Sequence, residues 1–209
     1  MMNSNIGYVY LMICCLNALI TPVMAQSETI RFGFSVNKYA FNRFNYEVID
    51  STDINGTGFT IGFSYEKPIL NRTSLQIGFG FSQRNNEVKY YKWGNADRTH
   101  WASFPISMNY YLFKNLAVEI GCQYEHLIFK QKFVEYSDSL QQKPGYTKYD
   151  IGLIAGIRFQ IQNFELNGCF NYGLRNIYSI YGFDPARGIG INASAKSYYI
   201  KIGLNYLFQ

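Results

Sequence analysis

From Thr29 onward, apolar residues recur at every second position, the period of a strand with two unlike faces. The first such run sets Ile30, Phe32, Phe34 and Val36 against Arg31, Gly33, Ser35 and Asn37. The second sets Phe59, Ile61, Phe63 and Tyr65 against Thr60, Gly62, Ser64 and Glu66; the third sets Leu75, Ile77, Phe79 and Phe81 against Gln76, Gly78, Gly80 and Ser82. The fourth carries Phe104, Ile106, Met108, Tyr110 and Leu112, and the fifth Leu116, Val118, Ile120, Cys122 and Tyr124. Tyr149 to Phe159, Phe164 to Leu174 and Tyr198 to Phe208 complete the series. The pattern predicts eight amphipathic strands.

Eight such strands fit a soluble sandwich, a lipocalin-like calyx or a membrane barrel, so the apolar face must be assigned to core or to lipid. The polar face is built from small residues. It carries Gly33, Gly62, Gly78, Gly80, Gly121, Gly152, Gly156, Gly173 and Gly203 with Ser and Asn, and Lys201 as its lysine. A water-facing sheet favours Lys, Glu and Thr, whereas small residues suit the cramped interior of an eight-stranded barrel. The connections also alternate: 38–57, 85–99, 130–147 and 178–195 are long, while 67–73, 114–115 and 161–163 are short. That alternation, with aromatic residues toward strand ends, is the signature of outer-membrane barrels. The expectation is an all-β, eight-stranded antiparallel up-and-down transmembrane β-barrel with long loops extracellular and both termini periplasmic. A soluble carrier would need the apolar face inward, which the glycine-rich polar face opposes.

The N-terminus changes the picture by giving the chain an address. Ile6 to Ile20 is almost wholly apolar, Pro22 breaks the run, and Val23-Met24-Ala25 offers a small-residue cleavage pattern, predicting a signal peptide over 1–25 and a barrel domain over 26–209. The apolar stretch is shorter than the ~20 residues a spanning helix needs. Met1 to Asn5 lacks the usual Lys or Arg, and Ile13 is too bulky to precede a lipidated cysteine at Cys14 or Cys15. The mature chain then holds Cys122 and Cys169, which strand parity sends to opposite faces, so two free thiols are expected.

Composition agrees. Of 209 residues, 48% are hydrophobic, 18% aromatic and only 16% charged, with 19 Tyr and 17 Phe, which excludes a disordered chain. The net charge of +5 is spread thinly, without the basic cluster of a nucleic-acid surface.

Candidate chemistry is sparse. Inward parity falls on Arg31, Arg158, Arg175 and Lys201 and on Glu66, Glu119, Glu125, Asp150 and Glu165, a nearly balanced set expected to pair as a lumen charge network. His126 lies outward near the long-loop end of the fifth strand, where lipid A head groups would lie, but no Ser accompanies it; His100 and Ser103 have opposite parity. No catalytic triad, cofactor motif or metal-ligand spacing is read from the sequence. The long connections are rich in aromatic residues, and Phe41, Phe44, Tyr90, Tyr91, Trp93, Tyr136, Tyr181 and Phe183 are candidate contacts for a partner or glycan, or rings that pack on one another where strands extend past the membrane.

Three segments resemble a known family. His100 to Leu112 (HWASFPISMNYYL), Asp150 to Ile157 (DIGLIAGI) and Asn167 to Ile177 (NGCFNYGLRNI) are similar to strand motifs of the outer-membrane β-barrel domain proteins, which include PorT-like and porin-like small barrels of Gram-negative bacteria. Gly168-Cys169 replaces an Ala-Arg frequent in the family, and the chain ends Leu207-Phe208-Gln209 instead of on an aromatic residue. The resemblance implies location and shape without an activity. It implies as partners outer-membrane lipid and lipopolysaccharide, the barrel assembly machinery with periplasmic chaperones, and an extracellular or secretion-system partner. The role expected is structural or surface-binding, with a lipid A deacylase or acyltransferase as the alternative.

Overall fold

The structure, a computed structural model, describes residues 28–44, 52–90, 93–135, 143–184 and 189–208. The leader expected over 1–25 lies outside them. Strand segments follow one another along the chain: β1 (Thr29–Phe44), β2 (Thr52–Leu70), β3 (Thr73–Tyr90), β4 (Trp93–Phe113), β5 (Leu116–Glu135), β6 (Lys143–Tyr146), β7 (Tyr149–Ile161), β8 (Phe164–Asp184) and β9 (Ile189–Phe208).

Every pairing is antiparallel, and β9 pairs with both β1 and β8, so the sheet closes on itself; among the described residues its wall keeps a free edge where β6 pairs with β8 alone. Segments β6 and β7 both pair with β8 and are separated by Thr147 and Lys148; together they form one wall strand, so the barrel has eight. At the interruption the Thr147 N–H donates to the Ile177 carbonyl (2.9 Å) and the Leu127 N–H to the Lys148 carbonyl (2.7 Å), which carries the wall across the break. The register of β8 on β9 also shifts beyond Tyr172, at Asn176 and again at Tyr178.

The face assignment is inverted relative to a soluble protein. Outward apolar side chains stay open, with Ile120 70%, Ile202 66% and Val36 58% exposed, while inward Arg31 and Glu66 are 1% and 3% exposed. Burial follows the strand period because consecutive side chains point to opposite faces, so one residue of slip would exchange lipid and lumen throughout a strand. The two thiols obey the same rule: Cys122 is exposed, Cys169 is buried, and both are free. No helix among the described residues is long and apolar enough to cross a membrane.

The two ends of the barrel differ. Strands join through Asn71-Arg72, Lys114-Asn115 and Gln162-Asn163 at one end, where Gln162 takes a left-handed backbone with φ of 54°. At the other end the connections read as long loops are largely strand. Phe41 and Phe44 lie in β1, Tyr90 in β3, Trp93 in β4, and Tyr181 and Phe183 in β8; Tyr90 pairs with Trp93, and Tyr181 with Asn192. The assignment of these residues to loops is therefore corrected. Beyond the membrane water bathes both faces, so backbone pairing continues after strict apolar alternation stops, and alternation alone misses the extension. The side chains of these six residues, together with Tyr91 and Tyr136, lie outside what the structure describes.

Candidate functional site

The lumen holds two polar clusters, one toward each end. The cluster at the short-turn end draws on the first residues of β1, β3 and β8 and the last inward residues of β2, β4, β7 and β9, which antiparallel pairing brings to one level. Arg31 Nη1 lies 2.6 Å from Glu66 Oε2, and Arg31 Nε 3.1 Å from Glu165 Oε2. Arg158 Nη2 reaches the same two carboxylates at 3.0 and 2.5 Å. Each carboxylate thus meets two guanidinium groups and each guanidinium two carboxylates, a closed quartet of zero net charge.

Neutral groups fill the remaining positions. Glu66 Oε1 accepts from Tyr111 (2.5 Å) and Ser74, Glu165 Oε1 accepts from Asn205 Nδ2 (2.8 Å), and Arg158 Nη1 donates to Gln76 Oε1 (2.7 Å). This satisfaction matters because an ion in a low-dielectric interior carries a desolvation penalty of several kcal/mol that a single partner rarely offsets. Both arginines and both glutamates are buried.

The second cluster sits toward the long hairpins and is built differently. Arg84 pairs with Glu125 and lies between two rings, 4.8 Å from the centroid of Trp101 and 5.1 Å from that of Tyr199. Tyr199 accepts from Gln123 Nε2 (2.7 Å), and its hydroxyl lies 3.4 Å from Glu125. Asp150 is held by the Ser197 hydroxyl (2.9 Å) and the Ile151 N–H (2.8 Å). Gly173 makes room here, since a Cβ would meet Asp150 Oδ2 at 2.5 Å and Ser197 Oγ at 2.7 Å.

Of the residues with inward parity, Arg31, Glu66, Arg158 and Glu165 come together in the quartet, and Glu125 and Asp150 in the second cluster. Glu119 and Lys201 line the space between, a cavity of about 90 Å³ bounded also by Ser35, Thr60, Ser103 and Gln123. That volume suits a few waters lodged among polar walls. Arg175 departs from the set. Its guanidinium lies 4.0 Å from the ring centroid of Tyr149, away from the lumen quartet, where the irregular register of β8 beyond Tyr172 places it. Arg84 is the residue that sequence reading missed, although it continues the inward series Gln76, Gly78, Gly80 and Ser82 by one further step.

Both histidines face the aromatic exterior. Tyr124 Oη lies 3.4 Å from His126 Nδ1, and the rings stack. His100 is packed between Phe81 and Phe129, with centroids 5.6 and 3.9 Å away, whereas Ser103 points into the cavity. Among the described residues no group of three His, Cys, Asp or Glu side chains is placed to hold a metal ion.

Solved structures similar to the chain include bacterial outer-membrane proteins. OprG from Pseudomonas aeruginosa matches at 10% identity with a TM-score of 0.54, over 89% of this chain and 98% of that one. Ail of Yersinia pestis, solved in complex with the heparin analogue sucrose octasulfate, matches at 14% identity and a TM-score of 0.48, over 88% and 100%. A major outer membrane protein from Thermus thermophilus matches at 14% identity and 0.44, over 85% and 99%. A comparison with curated proteins finds no match. The profile of the outer membrane protein beta-barrel domain family matches residues 24–179, and with an apolar exterior, a polar interior and a closed eight-stranded wall, the chain belongs to that family and resides in the bacterial outer membrane.

Proposed function

We propose that this protein is a non-conducting outer-membrane barrel that presents its long strand hairpins outside the cell as a contact surface, with both termini in the periplasm. The observation that carries the reading is the Arg31–Glu66–Arg158–Glu165 quartet, whose groups are drawn from opposite sides of the wall and are all buried. A solute would have to break several charge-assisted bonds at once to pass it. Strand length supports the rest. β4, β8 and β9 have 21, 21 and 20 residues. At about 3.3 Å per residue and a tilt near 40°, some 20 residues rise about 50 Å, roughly twice the ~25 Å apolar band of such barrels. The wall therefore continues well beyond lipid, where Phe41, Phe44, Tyr90, Trp93, Tyr181 and Phe183 lie on the chain.

His126, stacked on Tyr124, has the surroundings of a belt residue, which favours this role over lipid hydrolysis or acyl transfer. Two measurements test the proposal. In planar bilayers, purified protein is expected to give no stepwise conductance; steady single-channel steps from the unaltered chain overturn the closed lumen. Cells displaying the protein are expected to bind an immobilised glycan or matrix-protein panel, with loss of the signal when Phe41, Phe44, Trp93 and Tyr181 are replaced by Ser. Equal binding by that variant, or none by the unaltered chain, removes the contact role.

A further inference from the structure

On the outer face, aromatic and cationic side chains of four neighbouring wall strands line up along one row; on β7, β8 and β9 it closes the apolar band, while β5 carries the exposed Ile128 and Phe129 one step beyond it. His126 on β5 is paired with Tyr149 on β7, and Asn176 on β8 with Lys196 on β9. Arg175 joins the two halves, its guanidinium 4.0 Å from the Tyr149 centroid; Tyr149 in turn stacks on Tyr124 at 6.1 Å. Lys196 Nζ lies 5.9 Å from the Tyr172 ring. Below the row, toward the short turns, the outward residues are Ile151, Leu153, Phe170 and Ile200, all exposed; above it Lys148 is exposed. Among the described residues Arg175 makes no ion pair, so this planar cation is held by a ring face with its donor edges open.

We propose that this row is a binding site for the phosphorylated sugar headgroup of an outer-leaflet glycolipid. The inference rests on the orientation proposed above, with the long hairpins outside the cell. The chemistry fits on three counts. A guanidinium pre-set against an aromatic ring offers a bidentate fork to a phosphate, and the Lys196 ammonium adds a second positive charge on the next strand. Tyrosine faces at the apolar–polar boundary suit sugar rings above and acyl chains below. Four strands at about 4.8 Å spacing make a platform about 15 Å wide, which matches a multi-chain disaccharide better than one glycerol headgroup.

The test uses the full barrel in phosphatidylcholine nanodiscs, titrated with bisphosphorylated lipid A and read by native mass spectrometry. Binding is expected to fall tenfold or more in Arg175→Gln with Lys196→Gln, and to a similar extent when the unaltered barrel meets dephosphorylated lipid A. Lys67→Gln at the short-turn end, a variant of the exposed Lys67–Glu28 pair, should bind as the unaltered chain does. A heat-dependent mobility shift in each variant verifies that it has folded, and Arg175→Lys should recover part of the affinity. Undiminished binding by the double variant, or equal competition by phosphatidylglycerol, overturns the site. Because the nanodisc titration is blind to orientation, the proposed topology is read separately by labelling Thr57→Cys in intact cells. Labelling only after lysis overturns the outer-leaflet assignment and the orientation together, whatever the titration gives.

Discussion

The two ends of the lumen solve the same problem with different materials. At the short-turn end two arginines and two glutamates cancel one another, and the neighbours are hydrogen-bonding groups such as Ser74, Gln76, Tyr111 and Asn205. Toward the long hairpins, Arg84 pairs with Glu125 and lies between the rings of Trp101 and Tyr199, while Asp150 accepts from a hydroxyl and a backbone N–H. The difference teaches where rigidity is concentrated. A quartet in which every ion has two opposite partners has no single bond whose loss is minor; a cation between aromatic faces keeps about 2 kcal/mol of desolvated ring attraction even when its carboxylate moves.

The largest effect that should break this comparison comes from Arg158→Ala. It strands Glu66 and Glu165 with Arg31 alone, and an uncompensated buried charge costs about 3–5 kcal/mol. The temperature at which the folded band converts to the unfolded one in dodecyl sulfate should fall steeply, or the variant should fail to assemble. Replacing the second cluster's pair together, Arg84→Met with Glu125→Leu, should change that temperature far less, because exchanging both ions of a buried pair for apolar side chains of similar volume is often neutral. A drop equal to that of Arg158→Ala would show that the two ends are built alike after all.

Smaller changes sharpen the contrast. Tyr111→Phe removes one donor to Glu66 and should cost about 1.5–3 kcal/mol, the range for a hydrogen bond to a charged group. Gly173→Ala should cost about 1–3 kcal/mol, the usual range for an overpacked site, since its Cβ would meet the hydrogen-bonded ends of Asp150 and Ser197 and, at 2.9 Å, the Ser197 backbone oxygen. At the short-turn end, Gln162→Gly should gain about 0.5–1 kcal/mol by relieving the left-handed backbone, seen as a slightly higher conversion temperature.

Much of the architecture was legible because lipid and lumen impose opposite demands on alternate residues. Phe32, Phe63, Phe79, Ile120 and Ile202 announce one face, and Arg31, Glu66, Arg158 and Glu165 the other. The opposite placement of Cys122 and Cys169 follows from the same parity. Legibility ended where that demand ended. Above the apolar band, β1, β3, β4 and β8 continue as paired strands without clean alternation, so Phe41, Tyr90, Trp93 and Tyr181 read as loop residues. Arg175 was misplaced because parity assumes an unbroken register, and β8 shifts register beyond Tyr172.

The sequence by itself determined the strand number, the inside and outside of each strand over its regular span, and the lumen charges other than Arg84 and Arg175, because a period of two is a local property of consecutive residues. Tertiary structure decided which charges meet. Arg31 and Glu165 are 134 residues apart, and only closure of β9 onto β1 brings them within 3.1 Å. Closure also placed Arg84 between Trp101 and Tyr199 and turned Arg175 toward Tyr149. Parity fixes a direction, but the level and the partner of a side chain depend on strand stagger and bulges, which no single strand encodes.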